Sequence, residues 1–71
     1  MQSSECFKIN IHELSFIQFI LEGYEGLATV TTINKNKGLI RVLFNVDFRN
    51  DVNEIIRHLK NDFYIADLND D

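Results

Sequence analysis

The order of sequence patterns along this chain predicts an α+β fold, the ferredoxin-like βαββαβ plait. Four segments alternate apolar with polar residues or are rich in β-branched and aromatic residues, which is typical of strands. Two segments between them place apolar residues at helical spacing. With right-handed crossovers, this order gives a four-stranded antiparallel sheet with two helices on one face.

The first strand is predicted over residues 6–11, where Phe7, Ile9 and Ile11 alternate with polar residues. The polar ends of the chain, residues 1–5 and 69–71, are expected to be frayed. A chain of 71 residues is long enough for one domain, so we expect a single domain over residues 1–71 with an ordered core over residues 6–68.

The first helix is predicted over residues 12–22, because the pattern changes there from period two to helical spacing. Asn10 is expected to cap this helix, with Glu13 in the capping-box position. The predicted apolar stripe consists of Ile17, Ile20, Leu21 and Tyr24, widened by Phe16 and Phe19.

Gly23 and Gly26 follow this helix in the segment EGYEG at residues 22–26. Glycine adopts the left-handed conformation at little steric cost and commonly ends helices. The segment follows a helix rather than a strand, unlike a phosphate-binding loop. It is therefore interpreted as a helix end and turn, from which Tyr24 folds back onto the core.

A hairpin is predicted over residues 27–48. Its strands are the β-branched segment 27–33 and the alternating segment 39–48, joined by an Asn- and Gly-containing turn at residues 34–38. The residues of the second strand expected to face the helices are Ile40, Val42, Phe44 and Val46.

The second helix is predicted to start at Asn50 or Asp51, since either side chain could cap it. A closing strand is predicted over residues 63–68. The apolar stripe of the helix consists of Val52, Ile55, Ile56 and Leu59.

Two helices cover one side of the sheet, so apolar residues on the other side are informative. Contiguous exposed apolar patches usually mark an interaction surface. A chain this short buries only roughly 60% of its unfolded surface and gains from further burial. We therefore expect a homo-oligomer, most simply a dimer, through this side of the sheet or through an edge strand. The predicted interface residues are Leu27, Leu39, Arg41 and Leu43.

The net charge of −4 disfavours nucleic acid and an anionic membrane surface as partners, because both are negatively charged. The single cysteine, Cys6, cannot form an internal disulfide, and His12 and His58 lack metal-ligand spacing. No cofactor or metal is therefore expected. The lone cysteine and the lack of a signal-peptide pattern indicate a cytoplasmic protein.

His12 and Glu13 are adjacent at the end of the first strand, and a histidine beside a carboxylate can act as an acid–base pair. Adjacent residues on a helix do not face each other, so capping and solvent contact are the competing interpretation. We assign no catalytic residue. A small enzyme that uses His12 with Glu13 or Glu25 is kept as an alternative.

The segment FILEGYEG at residues 19–26, followed by Thr31-Thr32 and by Lys37-Gly38 in a turn, resembles a small bacterial family of uncharacterised domains related to ACT-like domains. The resemblance covers residues 7–62 and implies the same plait with no assigned activity. ACT domains bind amino acids or other small molecules at subunit interfaces. Their first loop typically has a Pro-Gly step, which this chain lacks at residues 11–14.

The first function hypothesis is a non-enzymatic, homo-oligomeric ACT-like module that binds a small molecule or a protein partner. By analogy with that family, a ligand would lie where the first strand meets the first helix, near His12 and Glu13, with Thr31 or Thr32 from a neighbouring strand. A purely structural subunit that assembles with a larger protein is the remaining alternative.

Overall fold

The computed structural model describes residues 1–23 and 26–68. Its strands form one antiparallel sheet in the order β2-β3-β1-β4, and both helices pack on the same side, which confirms the predicted plait. Short 3₁₀ turns at Ile11–Glu13 and Val46–Phe48 precede the two helices. The elements are β1 (Gln2–Ile9), α1 (Leu14–Gly23), β2 (Ala28–Asn34), β3 (Leu39–Asn45), α2 (Arg49–Leu59) and β4 (Ile65–Asp67).

The core lies between the sheet and the helices. Successive side chains of a strand point to opposite faces, so the buried strand residues occupy alternate positions that face the helices. The buried strand residues are Phe7, Ile9, Ala28, Val30, Ile40, Val42 and Phe44, and the buried helix residues are Ile17, Leu21, Val52, Ile56 and Leu59. The predicted stripe of α2 is thus confirmed, with Ile55 half-buried beside it.

β1 starts earlier and ends earlier than predicted. Gln2 to Lys8 pair with Asn45 to Leu39 of β3, so the expected fraying of residues 2–5 is wrong. The reason is that β3 is long enough to satisfy the backbone groups of the whole first segment. Ile11 lies in a 3₁₀ turn instead of continuing the strand.

An asparagine side chain ends each central strand. Asn10 Oδ1 accepts a hydrogen bond from His12 N at 3.0 Å, and Asn45 Oδ1 accepts one from Asp47 N at 2.9 Å. Asparagine favours such local bonds, which compete with continuation of a strand. The capping role of Asn10 is confirmed for the turn that leads into α1.

The second asparagine corrects the predicted boundaries of β3 and α2. Because Asn45 starts a turn, β3 ends there, and Val46 is exposed instead of facing the helices. α2 then begins at Arg49, so Asn50 and Asp51 lie inside the helix and do not cap it.

α1 buries a narrower stripe than predicted. Ile17 and Leu21, one helical turn apart, are buried, and Ile20 is half-buried. Phe16 and Phe19 were expected to widen the stripe, but they are 63% and 76% exposed. Tyr24, also expected on the stripe, lies outside the described residues.

Glu22 connects α1 to β2. Its Oε2 accepts hydrogen bonds from Val30 N at 2.9 Å and from Gln18 Nε2 at 3.3 Å. β2 is an edge strand, and its outward N–H groups are open to pairing with another chain. The carboxylate therefore stabilises the helix–strand contact and occupies one of these outward donors.

We expect Glu22→Ala to lower the free energy of unfolding by about 1–3 kcal/mol, because the Val30 N–H loses a charged acceptor. Glu22→Gln keeps an acceptor oxygen and should lose less. Urea denaturation measures the loss, and hydrogen exchange at the Val30 amide reports the bond itself. Unchanged exchange at Val30 in Glu22→Ala would show that the bond contributes nothing.

Candidate functional site

The outer face of the sheet, the side that neither helix covers, is built from cross-strand rows. The strand register decides which residues are neighbours, and the rows run across the strands in their spatial order. The rows are Thr29–Leu43–Ser4, Thr31–Arg41–Cys6 and Asn34–Leu39–Lys8–Ala66. Lys8 and Arg41 are exposed, whereas Leu39 and Leu43 are half-buried.

The charges of these rows all have one sign. Lys8 and Arg41 belong to neighbouring rows, and no row contains Asp or Glu. Within residues 1–23 and 26–68, the ion pairs closer than 4.0 Å involve other residues. Lys35 and Lys37 lie in the β2–β3 turn at one end of the face. The outer face is therefore basic in a chain whose net charge is −4.

The helix layer differs because its basic side chains have carboxylate partners. Arg49 bonds Glu5 at 3.0 Å and contacts the ring of Phe44, and Lys60 bonds Asp67 at 3.0 Å. These cations are neutralised within the chain. They are thus less available to an outside anion than Lys8 and Arg41.

Glu54 on α2 is a second neutralised group of the helix layer. A hydrogen bond from Arg57 is the main reason that the pKa of the Glu54 carboxyl lies below its usual range, and a hydrogen bond from His58 lowers this pKa further. Arg57 also lines a cavity of about 350 Å³ between β1 and α2, together with Glu5, Lys60 and Asp67. The charged groups of this cavity have partners in the protein, so it offers little to a ligand.

Most of the outer face lies within a segment that matches a known protein family. Residues 7–62 match the model of a family described as a domain of unknown function, DUF4911. The chain belongs to this family. The matched segment runs from β1 through α2 and contains Lys8, Leu39, Arg41 and Leu43. No curated protein and no solved structure matches the chain.

The structure places three of the four predicted interface residues of this domain on the outer face. Leu39, Arg41 and Leu43 occupy consecutive outward positions of β3. Leu27 precedes β2 and packs partly against the buried core, so only part of its side chain is available. It also lines a cavity of about 320 Å³ with Leu43 at one end of the face.

The predicted ligand site is spread over two faces. His12 is exposed and Glu13 half-buried in the turn after β1. β3 lies between β1 and β2, so Thr31 and Thr32 of β2 are two strand spacings, or about 10 Å, from β1. Thr31 pairs with outward-facing Arg41 and Thr32 with buried Ile40, so the two threonines point in opposite directions.

His12 and Glu13 therefore lie in the turn after β1, whereas Thr31 and Thr32 lie on opposite faces of β2. The cavities of about 350, 320 and 330 Å³ are lined by other residues. Glu25, the other carboxylate considered for an acid–base site, lies outside the described residues. Small-molecule binding at His12 and Glu13 stays a prediction.

Residues 1–23 and 26–68 contain neither a cluster of metal-binding side chains nor a membrane-spanning helix. No three His, Cys, Asp or Glu side chains in this part of the chain come close enough together to hold a metal ion. No helix described there is long and apolar enough to cross a membrane.

Sequence reasoning missed Lys8 as a member of the outer face. The alternation of β1 already put Lys8 opposite to Phe7 and Ile9, which was the available signal. The alternation does not predict the strand register, which pairs Lys8 with Leu39 and places it one row from Arg41. Register depends on contacts distant in sequence.

Proposed function

We propose that this domain is a non-enzymatic docking module whose outer sheet face binds an acidic protein partner. The observation that carries the proposal is the combination of Lys8 and Arg41 with half-buried leucines on a face whose rows contain no carboxylate. A partner surface with carboxylates and apolar side chains would neutralise the two cations and shield Leu39 and Leu43 from water.

The shape and composition of the face favour a protein over other partners. Small-molecule sites are usually concave, whereas these rows lie on a sheet surface. The rows contain no aromatic side chain on which nucleic-acid bases could stack. A second copy placed face to face would bring Lys8 and Arg41 close to their own equivalents, and like charges repel.

The proposal also includes the absence of catalysis and a cytoplasmic location. Residues 19–26 resemble a bacterial family of uncharacterised domains, and the proposed relationship of that family to ACT-like domains favours binding over catalysis. A cytoplasmic location is supported by the lone Cys6, which has no partner for an internal disulfide. If the ACT-like relationship extends to ligands, amino acids should raise the melting temperature in a thermal-shift screen.

The docking proposal is tested with a peptide that alternates glutamate and leucine. We expect it to bind the domain at low ionic strength and to shift the NMR signals of Cys6, Thr31 and Arg41. Added salt should weaken binding, because exposed charges are screened beyond a Debye length of about 10 Å at 0.1 M. The same peptide with lysine in place of glutamate should not bind.

Two matched variants locate the binding surface. Arg41→Gln removes a charge from the outer face and should raise the Kd for the glutamate peptide by about 2–5-fold, which is the effect expected for one exposed ion pair. Arg57→Gln removes the same charge from the helix layer and should leave the Kd unchanged. Equal weakening by both variants, or equal binding of the lysine peptide, would contradict docking at this face.

A further inference from the structure

α1 presents two phenyl rings to solvent, at Phe16 and Phe19. Phe16 stacks on Phe63, with ring centroids 6.5 Å apart. Phe19 is 76% exposed and is thus the most exposed aromatic side chain of the described residues. Aromatic residues are enriched at protein interfaces, where a few of them supply most of the binding energy.

An apolar groove lies beside these rings on the same side of the molecule. It has a volume of about 330 Å³, lies between α1 and α2, and is lined by Ile20, Ile55 and Leu59. Glu54, His58 and Asp62 form its polar rim. Phe19 precedes Ile20 in α1 and projects about 100° around the helix from it, so a protruding ring and an apolar groove lie on adjoining faces of one helix.

We infer that two copies of this chain associate through α1, with Phe19 of each copy inserted into the Ile20–Ile55–Leu59 groove of the other. A two-fold interface requires each surface to carry both halves of the contact, since residue i of one copy meets residue j of the other and the reverse. The adjacent ring and groove meet this requirement. The phenyl ring is also uncharged and has a positive edge, which suits a rim that contains two carboxylates.

Charge also selects this side of the molecule for self-association. Each copy carries a net charge of −4, so most approaches of two copies bring like charges together. The only charged residue of α1 is Glu22, and its carboxylate is already bonded to Val30 N and Gln18 Nε2. α1 itself therefore adds little repulsion between two copies.

The area of the patch sets the strength to expect. A phenylalanine exposes roughly 200 Å² when extended, so Phe16 and Phe19 together offer roughly 280 Å². This is about a third of the roughly 800 Å² per partner of a standard interface. Ile20, Ile55 and Phe63 enlarge the patch, and we expect a dimer that forms at micromolar concentration and dissociates on dilution.

Sedimentation equilibrium over a dilution series tests the inference. The unmodified chain should be a dimer at the top of the series, and Phe19→Ser should raise the dimer Kd at least about tenfold, or about 1.4 kcal/mol. Ile33→Ser is the matched control, because Ile33 is a 46% exposed apolar residue in β2 that does not line the groove. It should leave the Kd unchanged. Circular dichroism checks that both variants are folded.

The result separates this inference from the docking proposal, because the two surfaces lie on opposite sides of the molecule. Phe19→Ser should keep its affinity for the glutamate peptide, and Arg41→Gln should keep the dimer. A monomer throughout the series would overturn the α1 dimer and leave peptide docking standing. A loss of association in Ile33→Ser as large as that in Phe19→Ser would also overturn the α1 dimer.

Discussion

Gly38→Ala should lower the free energy of unfolding by at least about 3 kcal/mol, enough to remove much of the stability of so small a domain. Gly38 has a φ of +69°, where a residue with a Cβ costs about 1–2 kcal/mol. A Cβ at this position would also lie 2.1 Å from the carbonyl oxygen of Ile9. That atom belongs to the backbone of β1 and cannot swing aside as a flexible side chain could.

Relief of this contact would damage the sheet itself. Ile9 N donates a hydrogen bond to Gly38 O at 2.8 Å, which joins the end of β1 to the β2–β3 turn. Any shift that makes room for a methyl group moves these two segments apart and lengthens the bond. The loss should therefore appear in thermal or urea denaturation and as faster hydrogen exchange at Ile9.

Gly26→Ala is the matched control for this prediction. Gly26 has a similar φ of +66°, but a Cβ there would meet nothing within 4 Å. Gly26→Ala should lower the free energy of unfolding by only about 1–2 kcal/mol, which is the cost of a Cβ in the left-handed conformation. If the two variants lose equal stability, the close approach of Ile9 and Gly38 does not matter, and only the backbone conformation does.

Ile17→Ala should have the second-largest effect, a loss of about 2–5 kcal/mol of unfolding free energy. Ile17 is 0% exposed in the core between α1 and the sheet, so its removal leaves a cavity that the neighbours fill only in part. A domain of 71 residues has a total stability of about 4–11 kcal/mol, so one such cavity can unfold it at physiological temperature.

Phe19→Ala provides the comparison within the same helix. The side chain is larger than that of Ile17, yet its exposure predicts a change of only about 0.5 kcal/mol in the monomer. Both variants should be denatured at the lowest practical concentration, so that association does not add to the stability of the reference chain. A loss for Phe19→Ala as large as for Ile17→Ala would mean that Phe19 is buried in the folded monomer.

The residues of the outer face could be predicted from the sequence strand by strand, but their neighbours on other strands could not. Alternation along β3 placed Leu39, Arg41 and Leu43 on one side, because side-chain direction in a strand has a fixed period of two. The same rule put Lys8 on the outward side of β1 but could not say which residue of β3 lies beside it. The absence of carboxylates from the rows became visible only with the register.

The sequence predicts the order of the elements, the faces of residues 39–44 and of α2, and the glycine turn before β3, because these depend on neighbours within a few residues. Only the folded molecule shows where β1 begins and that Asn45 ends β3. It also decided which apolar residues of α1 are buried. α1 has apolar residues around more of its circumference than the sheet can cover, so Ile17 and Leu21 face the sheet while Phe16 and Phe19 remain in water. Local pattern cannot choose between them, because burial depends on the surface that a distant part of the chain provides.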